Sequence, residues 1–365
     1  MNRRQFLRSS AYCGLSASLG SFSPFAQSFS APNKNDQALL KGFGMIDAHA
    51  HPDRYVYNSR PTDHTSTLKA IQKLGMVASC FAAVGDSVFL NQGRVPGTEY
   101  HSTKTQLEWW LKDIVKPGKV KLVLKASDVP ATVNEDSPPG AILAIEGGDA
   151  VKGNPDTVSD FYRMGVRMIT LIHYRNNEIG DSMRRWRNLS PGPSSKGLTP
   201  AGRKVVERMQ DLGIVVDVAH AHATTLKPIA EMSSRPLVDS HTSPCSVEDP
   251  LQCGRSRTWK EMELIAKTDG VVCTWPLAYT RGATTRMTFL DWAKEILEMK
   301  NRLGIKHVGL GTDGGGDLPG LIEGYRDVGD LLKLVKTMQE FGFSQDEIAA
   351  YMGGNFYRVL RSCIG

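Results

Sequence analysis

The sequence predicts an α/β fold, a (β/α)8 or TIM barrel, from two observations. Short apolar runs rich in β-branched residues alternate with amphipathic helical patterns between residues 45 and 354. Polar residues stand where many of these runs end, and a closed ring brings such ends together, whereas an open doubly wound sheet does not. The eight predicted strands are Met45–His51, Val77–Val84, Ala141–Glu146, Arg167–His173, Ile214–His220, Leu237–His241, Gly270–Trp275 and His307–Asp313.

The predicted helices lie between these strands and are marked by cap residues. Thr199 precedes Pro200–Leu212 as an N-cap. Ser344 and Glu347 form a capping box that begins a last helix, which is predicted to stop near Gly353-Gly354. The other predicted helices are Trp259–Lys267, Phe289–Leu303 with Gly304 as its C-cap, and Val328–Phe341.

Length and composition suit one large domain. The chain has 365 residues, of which 41% are hydrophobic and 22% charged, and it shows no linker after residue 45. We therefore expect a single barrel domain over residues 32–365. The formal charge is +6, but residues 1–31 contain three arginines and no acidic residue, so the remainder carries 6 − 3 = +3. That excess is too small to indicate a nucleic acid or an anionic membrane as a partner.

Residues 1–31 have the features of a targeting peptide. Arg3 and Arg4 precede Phe6 and Leu7, a weakly apolar stretch follows, and small residues lie around residues 26–31. The arginine pair resembles a twin-arginine export signal, which predicts a bacterial periplasmic or exported protein with no transmembrane segment in the mature chain. An ordinary secretory signal or a basic disordered tail is the alternative.

Five cysteines remain after this segment, an odd number that cannot pair completely. None has the C-x-x-C spacing of a zinc knuckle. In an oxidising compartment Cys245 and Cys253 could bridge a loop, while buried or free thiols explain these residues equally well.

A histidine pair ends the first predicted strand. Side chains two apart in a strand point the same way, so His49 and His51 can bind one metal ion from a single edge. Pro52 follows directly and breaks the strand. A lone histidine at such a position is more often a core residue, whereas the pair indicates metal ligands.

Other polar residues end other predicted strands. Glu146 leaves an apolar run, where a carboxylate is costly to bury without a cation and can also bridge two cations; capping of the next helix is the alternative. His220 and His241 are imidazoles suited to a second metal, and His222 competes because it shares the parity of His220. Asp313 can accept the proton of a metal-activated water and give it to a leaving amine.

Several motifs occur in one order along almost the whole chain. They are Ala144-Ile145-Glu146-Gly147-Gly148, Gly165-Val166-Arg167 with Thr170-Leu171-Ile172-His173, Gly197-Leu198-Thr199-Pro200-Ala201-Gly202, Asp217-Val218-Ala219-His220, Ser240-His241-Thr242-Ser243, Gly309-Leu310-Gly311-Thr312-Asp313 and Gly353-Gly354-Asn355. Together they resemble the membrane (renal) dipeptidase family, which comprises zinc dipeptidases of the amidohydrolase superfamily.

The resemblance implies a (β/α)8 barrel that holds two zinc ions. Glu146 and a hydroxide are implied as the bridges between the ions. The first ion is expected to bind the first-strand residues His49 and His51, and the second ion His220 and His241.

The same resemblance implies the catalytic and substrate-binding residues. Asp313 corresponds to the general acid and base. His173 is expected to contact the substrate amide and stabilise the oxyanion, and Arg255 to bind the terminal carboxylate of the substrate. Arg257 is close enough in sequence to be confused with Arg255. The family resemblance also implies that the protein can form a homodimer.

One position departs from the family pattern. The family has Asp where this chain has His51, so the motif is H-x-H in place of H-x-D. A neutral imidazole leaves the metal cluster one unit more positive than a carboxylate does, which favours a more acidic bound water. Imidazole also accepts a wider range of first-row metals, so the departure leaves the metal and the substrate class open.

These observations predict a metallohydrolase. The favoured function is a dipeptidase that cleaves the amide bond of a small peptide with a hydroxide bridging two divalent metal ions, expected to be Zn²⁺. One alternative is another binuclear amidohydrolase acting on lactones, N-acyl amino acids or phosphoesters, which the H-x-H pair favours. A catalytically silent periplasmic binding protein is the other, and the presence of Asp313 argues against it.

Overall fold

The computed structural model describes residues 44–53, 65–86, 97–134, 136–183, 196–247, 253–281, 284–316 and 318–365. These residues all belong to one compact unit, Lys34–Gly365. The export signal predicted in residues 1–31 lies outside the described residues, and the single domain over residues 32–365 stays a prediction. Within the described ranges, no helix combines the length and apolar character that crossing a bilayer requires.

Eight parallel strands form the predicted barrel, with helices packed around it. Each strand pairs with the next barrel strand along the chain, as successive β-α-β units require. Each also falls inside the bounds of a predicted strand or exceeds them by one residue. Strands β1 to β8 are Ile46–Asp47, Ala78–Val84, Gly140–Glu146, Val166–Thr170, Val215–Asp217, Val238–Thr242, Val271–Thr274 and Val308–Leu310.

Backbone hydrogen bonds between the two ends of the sheet close the ring. The amide of Ala48, just after β1, donates to Leu310 O at 3.1 Å. Further along, the amide of Asp313 donates to His49 O at 2.8 Å. The bends that follow β1 and β8 are therefore held against each other by the main chain.

Ten α-helices occur in the described residues. Helices α1 to α10 are Leu68–Leu74, Glu99–Trp110, Pro155–Arg163, Pro200–Leu212, Ala223–Met232, Trp259–Lys267, Phe289–Leu303, Leu331–Glu340, Gln345–Ala349 and Asn355–Ile364. The predicted N-cap of α4 is confirmed, because Thr199 Oγ1 accepts from the amide of Gly202 at 2.9 Å. The predicted capping box of α9 is also present, with Ser344 and Glu347 each accepting from the other's amide.

The predicted end of the last helix is wrong. The chain does not stop near Gly353 but kinks there and continues as α10. A Cβ on Gly353 would lie 2.6 Å from both Gly44 O and Ile46 N, so the absence of a side chain lets the helix pass against β1. A glycine that looks like a stop signal in the sequence is in fact a close-approach residue.

Two apolar clusters form the core. The larger one packs outward-facing strand residues against the surrounding helices. The smaller one contains inward-facing residues such as Cys80, and α10 covers it with Phe356 and Leu360. We call this end of the barrel, where Asn355 of α10 donates to Val308 O at 2.8 Å, the floor. The opposite end, formed by the carboxyl ends of the strands, is called the mouth.

Shorter elements connect the main ones. The short strand Lys121–Leu122 pairs with β3, and two small sheets lie outside the barrel. Those sheets consist of Pro244–Cys245 with Arg257–Thr258, and Tyr279–Arg281 with Thr284–Arg286. The short helices are Leu111–Val115, Ala126–Asp128, Gly148–Val151, Ile305–His307, Val328–Asp330 and Ala350–Gly354.

The cysteines divide into one disulfide and three thiols among the described residues. Cys245 and Cys253 are bonded to each other, so the bridge considered from the sequence is present. Cys80, Cys273 and Cys363 are buried thiols. Burial raises the pKa of the Cys80 and Cys273 thiols well above the ordinary value, which leaves them protonated and unreactive.

Candidate metal centre

The mouth brings together all the residues predicted to bind metal, together with His173 and Asp313. Glu146 is the last residue of β3 and His241 lies within β6, while the others follow β1, β4, β5 and β8 by two to four residues. All are buried, and the most exposed, Asp313, exposes 7% of its surface. The seven residues are His49, His51, Glu146, His173, His220, His241 and Asp313.

One carboxylate oxygen stands at the centre of this cluster. Glu146 Oε1 lies within 3.6 Å of four imidazole Nε2 atoms. Lone pairs on oxygen and nitrogen repel each other at such distances unless protons or cations lie between them. The four distances are 3.3 Å to His173, 3.5 Å to His220, and 3.6 Å to both His49 and His241.

His51 occupies the side of the cluster nearest Asp313. Its Nε2 lies 3.4 Å from Glu146 Oε2 and 3.5 Å from Asp313 Oδ1. Burial alone would lower the pKa of His51, but hydrogen bonds to these two carboxylates raise it to about 10. Its Nδ1 lies 2.7 Å from Ala82 O, an acceptor that fixes this nitrogen as a donor. The surroundings of His51 therefore favour positive charge on its Nε2 side.

The pKa shifts of Glu146, His220 and His241 favour the forms of these groups that bind a cation. Burial alone would raise the pKa of Glu146, but the charges of His173 and His49 outweigh it and hold that pKa well below its usual range. Burial, reinforced by neighbouring positive charges, holds the pKa values of His220 and His241 well below the ordinary value for histidine. Ionised carboxylates and neutral imidazoles are the forms that bind divalent metals.

The donor set fits a divalent metal. The Nε2 atom of His49 is buried and has no hydrogen-bond partner among the described residues, a costly state that a bound cation relieves. Imidazole and carboxylate donors together suit zinc and related first-row ions. Three groups whose donor atoms lie within 4.8 Å of one another could each hold an ion: His49, His51 and Asp313; His49, Glu146 and His241; and Glu146, His173 and His220.

These three groups contain the predicted ligands but do not divide them between two ions in the predicted way. The pair predicted for the second ion is close together, with 2.8 Å between Nε2 of His220 and Nε2 of His241. His173 and Asp313, which were predicted in other roles, also belong to these donor groups. The predicted ligands therefore converge, and their assignment to individual ions stays a prediction.

Asp86 is a site residue that the sequence analysis missed. Its Oδ2 lies 3.1 Å from His173 Nδ1 and accepts from the amide of Tyr174 at 3.2 Å. Burial would raise the pKa of Asp86, but the charge of His173 outweighs it and lowers that pKa. The available signal was similar to that of Glu146, because Asp86 also stands at the carboxyl end of an apolar strand, two residues after Val84.

The structure distinguishes the two candidate arginines. Arg257 is fully buried, and its Nε donates to Asp239 Oδ2 at 2.6 Å in a buried ion pair. Arg255 is half-buried, and its Nη1 donates to His173 O at 3.2 Å. The guanidinium of Arg255 also lies 4.5 Å from the ring centre of Tyr174. Arg255 is therefore the arginine beside the candidate site, and its role in binding the substrate carboxylate stays a prediction.

His222 does not join the cluster, so its prediction as a competing ligand is wrong. Its side chain caps α5, where Nδ1 accepts from the amide of Thr224 at 3.3 Å. It belongs to none of the three donor groups in the part of the chain that is described. Parity failed as a guide because the β5 strand ends at Asp217, before His220.

Two site residues adopt a left-handed backbone. His220 has φ 65° and Asp313 has φ 49°. Residues with a Cβ avoid this region, and each instance costs about 1 to 3 kcal/mol. The turn before His220 is held by Asp217 Oδ1, which accepts from the amide of Ala219 at 3.0 Å. Strain of this kind is concentrated at functional sites.

The fold and the site define the class of protein. A (β/α)8 barrel with five imidazoles and two carboxylates gathered at its mouth is a barrel built to bind metal there. The family model of membrane dipeptidases, peptidase family M19, matches residues 34–363. The chain belongs to this family, which confirms the resemblance found in the motifs.

Curated relatives match part of the chain. Dipeptidase tcpJ from Claviceps purpurea is 27% identical over 244 residues, which cover 67% of this chain and 55% of that protein. Dipeptidase aclJ from Aspergillus oryzae is 28% identical over 224 residues, which cover 60% and 50% respectively. The chain spans about half the length of the curated relatives that it matches.

Solved structures share the fold. The probable dipeptidase PvdM from Pseudomonas aeruginosa has a TM-score of 0.77 at 18% identity, covering 90% of this chain and 98% of that one. A metallo peptidase from Rhodobacter sphaeroides, liganded with a phosphinate mimic of the dipeptide L-Ala-D-Ala, has a TM-score of 0.72 at 20% identity. That match covers 87% of this chain and 99% of the other. At these identities the likeness supports the barrel fold.

Proposed function

We propose that this protein is a metal-dependent dipeptidase that hydrolyses the amide bond of a dipeptide. The observation that carries the proposal is the convergence of four imidazole Nε2 atoms within 3.6 Å of one oxygen of Glu146. Two divalent cations satisfy so many lone pairs around one carboxylate, whereas neutral hydrogen bonds do not. Membership of the membrane dipeptidase family supports a dipeptide as the substrate.

The proposed cofactor is a pair of Zn²⁺ ions. His49 and His51 would hold the first ion and His220 and His241 the second, with Glu146 between them. Such ions, when bound, lower the pKa of water from about 16 to about 7 and polarise a carbonyl group. Because His51 replaces a carboxylate of the family pattern, other first-row ions are competitors that a metal analysis must include.

Asp313 is the proposed proton carrier. Its side chain is 11% exposed, compared with 2% for Glu146 and 0% for His49 and His51. It therefore has the best access to solvent in this part of the cluster. Its Oδ1 lies 3.5 Å from His51 Nε2, so its carboxylate can take a proton from an attacking water there and deliver it to the leaving amine.

His173 and Arg255 are the proposed substrate-binding residues. The guanidinium of Arg255 is tied to His173 through the carbonyl oxygen of that residue and is stacked on Tyr174. Its forked donors suit the terminal carboxylate of a dipeptide. Binding that carboxylate fixes the distance from the carboxyl end to the scissile amide beside Glu146. The arrangement predicts a preference for dipeptides over dipeptide amides.

Metal analysis combined with a hydrolysis assay over L,L and L,D dipeptides tests this function. We expect two equivalents of metal per chain, loss of turnover on chelation and recovery with Zn²⁺. His220→Asn should lose metal and turnover, while the matched variant His222→Asn keeps a helix N-cap and should retain both. Turnover that survives complete removal of metal, or a purified chain that binds no metal, would overturn the proposal.

We also propose that the protein is exported as a folded chain. The twin-arginine pattern at Arg3 and Arg4 supports this, as does the disulfide between Cys245 and Cys253, which an oxidising compartment favours. Replacing both arginines by lysine should retain the protein in the cytoplasm of a bacterial host, while Arg8→Lys should be exported. Normal export of the double variant would contradict the proposal.

We propose that the protein assembles as a homodimer, because the family resemblance supports that state. Sedimentation of the purified protein should give about twice the mass of the 40.0 kDa chain, less any segment removed on export. A monomer at every concentration tested would rule it out.

A further inference from the structure

Ser240 lies between the two predicted halves of the metal centre, directly before His241 in β6. Its Oγ is 2.9 Å from Nδ1 of His241 and 3.3 Å from Nδ1 of His49. The same hydroxyl donates to Asp217 Oδ2 at 2.6 Å. Ser240 is completely buried, so these three contacts use the full hydrogen-bonding capacity of its hydroxyl.

The direction of each hydrogen bond follows from the number of protons available. A hydroxyl has one proton to donate and two lone pairs that accept. Asp217 acts as an acceptor at both oxygens: Oδ1 accepts from the amides of Ala219 and Ser240 at 3.0 Å. Its Oδ2 accepts from the Thr170 hydroxyl at 2.5 Å in addition to Ser240. The Ser240 proton therefore goes to Asp217, and both imidazoles must donate an N–H to the serine oxygen.

We propose that Ser240 is a positioning residue that sets the tautomer of one ligand of each metal ion at the same time. With Nδ1 protonated in both rings, His49 and His241 turn their Nε2 atoms toward Glu146 Oε1, each at 3.6 Å. What those nitrogens bind rests on the proposed metal centre. The hydrogen bonds to Ser240 do not depend on it.

With two ions bound, this arrangement would couple their ligands through one oxygen atom, Ser240 Oγ. The rings of His49 and His241 are 4.2 Å apart between centroids and share the Ser240 hydroxyl, whereas His51 has its own acceptor in Ala82 O. Without the hydroxyl, both shared rings can turn or exchange tautomers. Loss of an outer hydrogen-bond partner weakens metal binding by about 10- to 100-fold, and here the loss falls on both ions.

Ser240→Ala in the full chain tests the proposal. Zn²⁺ titration against a competing chelator should show both binding steps weakened by about 10- to 100-fold. Long-range ¹⁵N spectra of the metal-free, histidine-labelled protein report the tautomers directly. At a pH at which both rings are neutral, the wild-type protein should keep Nδ1 protonated in His49 and His241. Under the same conditions Ser240→Ala should show mixed tautomers. Ser240→Thr retains the hydroxyl and should restore the wild-type spectrum.

Ser243→Ala is the matched control. Ser243 is also buried, and its hydroxyl accepts from Trp275 Nε1 and Arg286 Nη2, both at 2.8 Å. Neither donor is an imidazole. The control should lose thermal stability as Ser240→Ala does, while keeping both metal-binding steps and the histidine spectrum.

Any of three metal-binding results would overturn the proposal: wild-type affinity for both ions in Ser240→Ala, weakening of only one binding step in that variant, or equal weakening in Ser243→Ala. A fourth is spectroscopic, namely unchanged tautomers in Ser240→Ala. Failure of the wild-type chain to bind any metal would instead contradict the proposed dipeptidase function. The spectrum of the metal-free protein would still test the role of Ser240.

Discussion

The floor and the mouth of the barrel are built in opposite ways. At the floor, α10 packs Phe356 and Leu360 against the inward-facing strand residues, and Asn355 donates to Ile305 O at 2.7 Å and Val308 O at 2.8 Å. Apolar burial and satisfied hydrogen bonds stabilise this end. The mouth instead buries imidazoles and carboxylates and has residues with a left-handed backbone. It also includes a buried nitrogen, His49 Nε2, that has no hydrogen-bond partner in the part of the chain that the structure describes.

This difference shows how the two ends of one barrel divide stability and function between them. A buried polar group without a partner costs about 1 to 3 kcal/mol, and each strained residue costs a similar amount. The mouth therefore weakens the fold that the rest of the barrel stabilises. Substitutions at the floor should lower the free energy of unfolding and leave turnover per folded molecule unchanged. Substitutions at the mouth should lower turnover and change the free energy of unfolding less.

The largest expected effect is at the floor. Phe356→Ala removes a ring that is 1% exposed and should lower the free energy of unfolding by about 3 to 5 kcal/mol. Urea unfolding measures the loss, and turnover per folded molecule should match wild type. Arg361→Ala, on the exposed face of the same helix, is the control. A folded Phe356→Ala protein with impaired turnover would show that the two ends are not independent.

The second-largest expected effect is at the mouth. Glu146→Gln keeps the shape of the side chain but removes the charge that faces the imidazoles, so turnover should fall by at least about 100-fold. Metal content, measured by elemental analysis, should fall as well. Without metal, Glu146→Gln should change the free energy of unfolding by less than Phe356→Ala does. Full metal content in this variant would contradict the central place given to the carboxylate.

Removal of metal should loosen the mouth and leave the floor unchanged. At a free metal concentration 100 times the dissociation constant, binding adds about 2.7 kcal/mol to the free energy of unfolding. Hydrogen exchange before and after chelation should show faster exchange in residues 47–51 and 240–242, with α10 unaffected. Equal acceleration at both ends would mean that metal stabilises the floor as much as the mouth, which would contradict the independence of the two ends.

A smaller effect is expected from the missed residue Asp86. Asp86→Asn weakens the hydrogen bond to His173 Nδ1, now at 3.1 Å, and should lower kcat by about 10-fold with metal content near that of wild type. Steady-state kinetics with elemental analysis tests this. Asp156→Asn, an exposed acid of α3, should behave as wild type. Unchanged kcat in Asp86→Asn would show that His173 needs no support from this carboxylate.

The smallest effect is a pH-dependent one beside the floor. Slight burial would raise the pKa of Asp128, but hydrogen bonds from the amides of Leu124 and Lys125 outweigh it and lower that pKa below 3.8. Because the folded pKa is the lower one, the carboxylate stabilises the fold above about pH 4, and this contribution is lost as the pH falls through the folded pKa.

Asp128→Asn should therefore lower the free energy of unfolding by less than about 1 kcal/mol at pH 7 and have no effect in strong acid. Urea unfolding at the two pH values measures the difference. The same loss at both pH values would assign the effect to shape and not to charge.

Much of the barrel could be predicted because strands and caps are local patterns. The run from Ala141 to Glu146 shows its burial in its composition, and Thr199 shows its capping role in the residues that follow it. The strand ends also located the residues that converge at the mouth, since the carboxyl ends of barrel strands meet at one face. Convergence of distant residues was therefore predictable once the fold class was inferred.

The remaining features depend on contacts between distant segments. Ser240 looks like any small polar residue until the fold places it against His49 and Asp217. Gly353 looks like a helix stop because its close approach to Gly44 and Ile46 is invisible in the local sequence. Nearest-neighbour patterns hold no information on such pairs, so hydrogen-bond networks and close packing could not be inferred.

The hydrogen bond from the amide of Asp313 to His49 O has a consequence for biosynthesis. The two residues are 313 − 49 = 264 positions apart in the sequence. A growing polypeptide on the ribosome therefore contains His49 and His51 long before the segment with Asp313, which holds them in place, has been made. Partial translation products can bind a cation only in some other geometry. Capture of metal in the final geometry therefore reports that synthesis has passed the eighth strand and that the ring has closed.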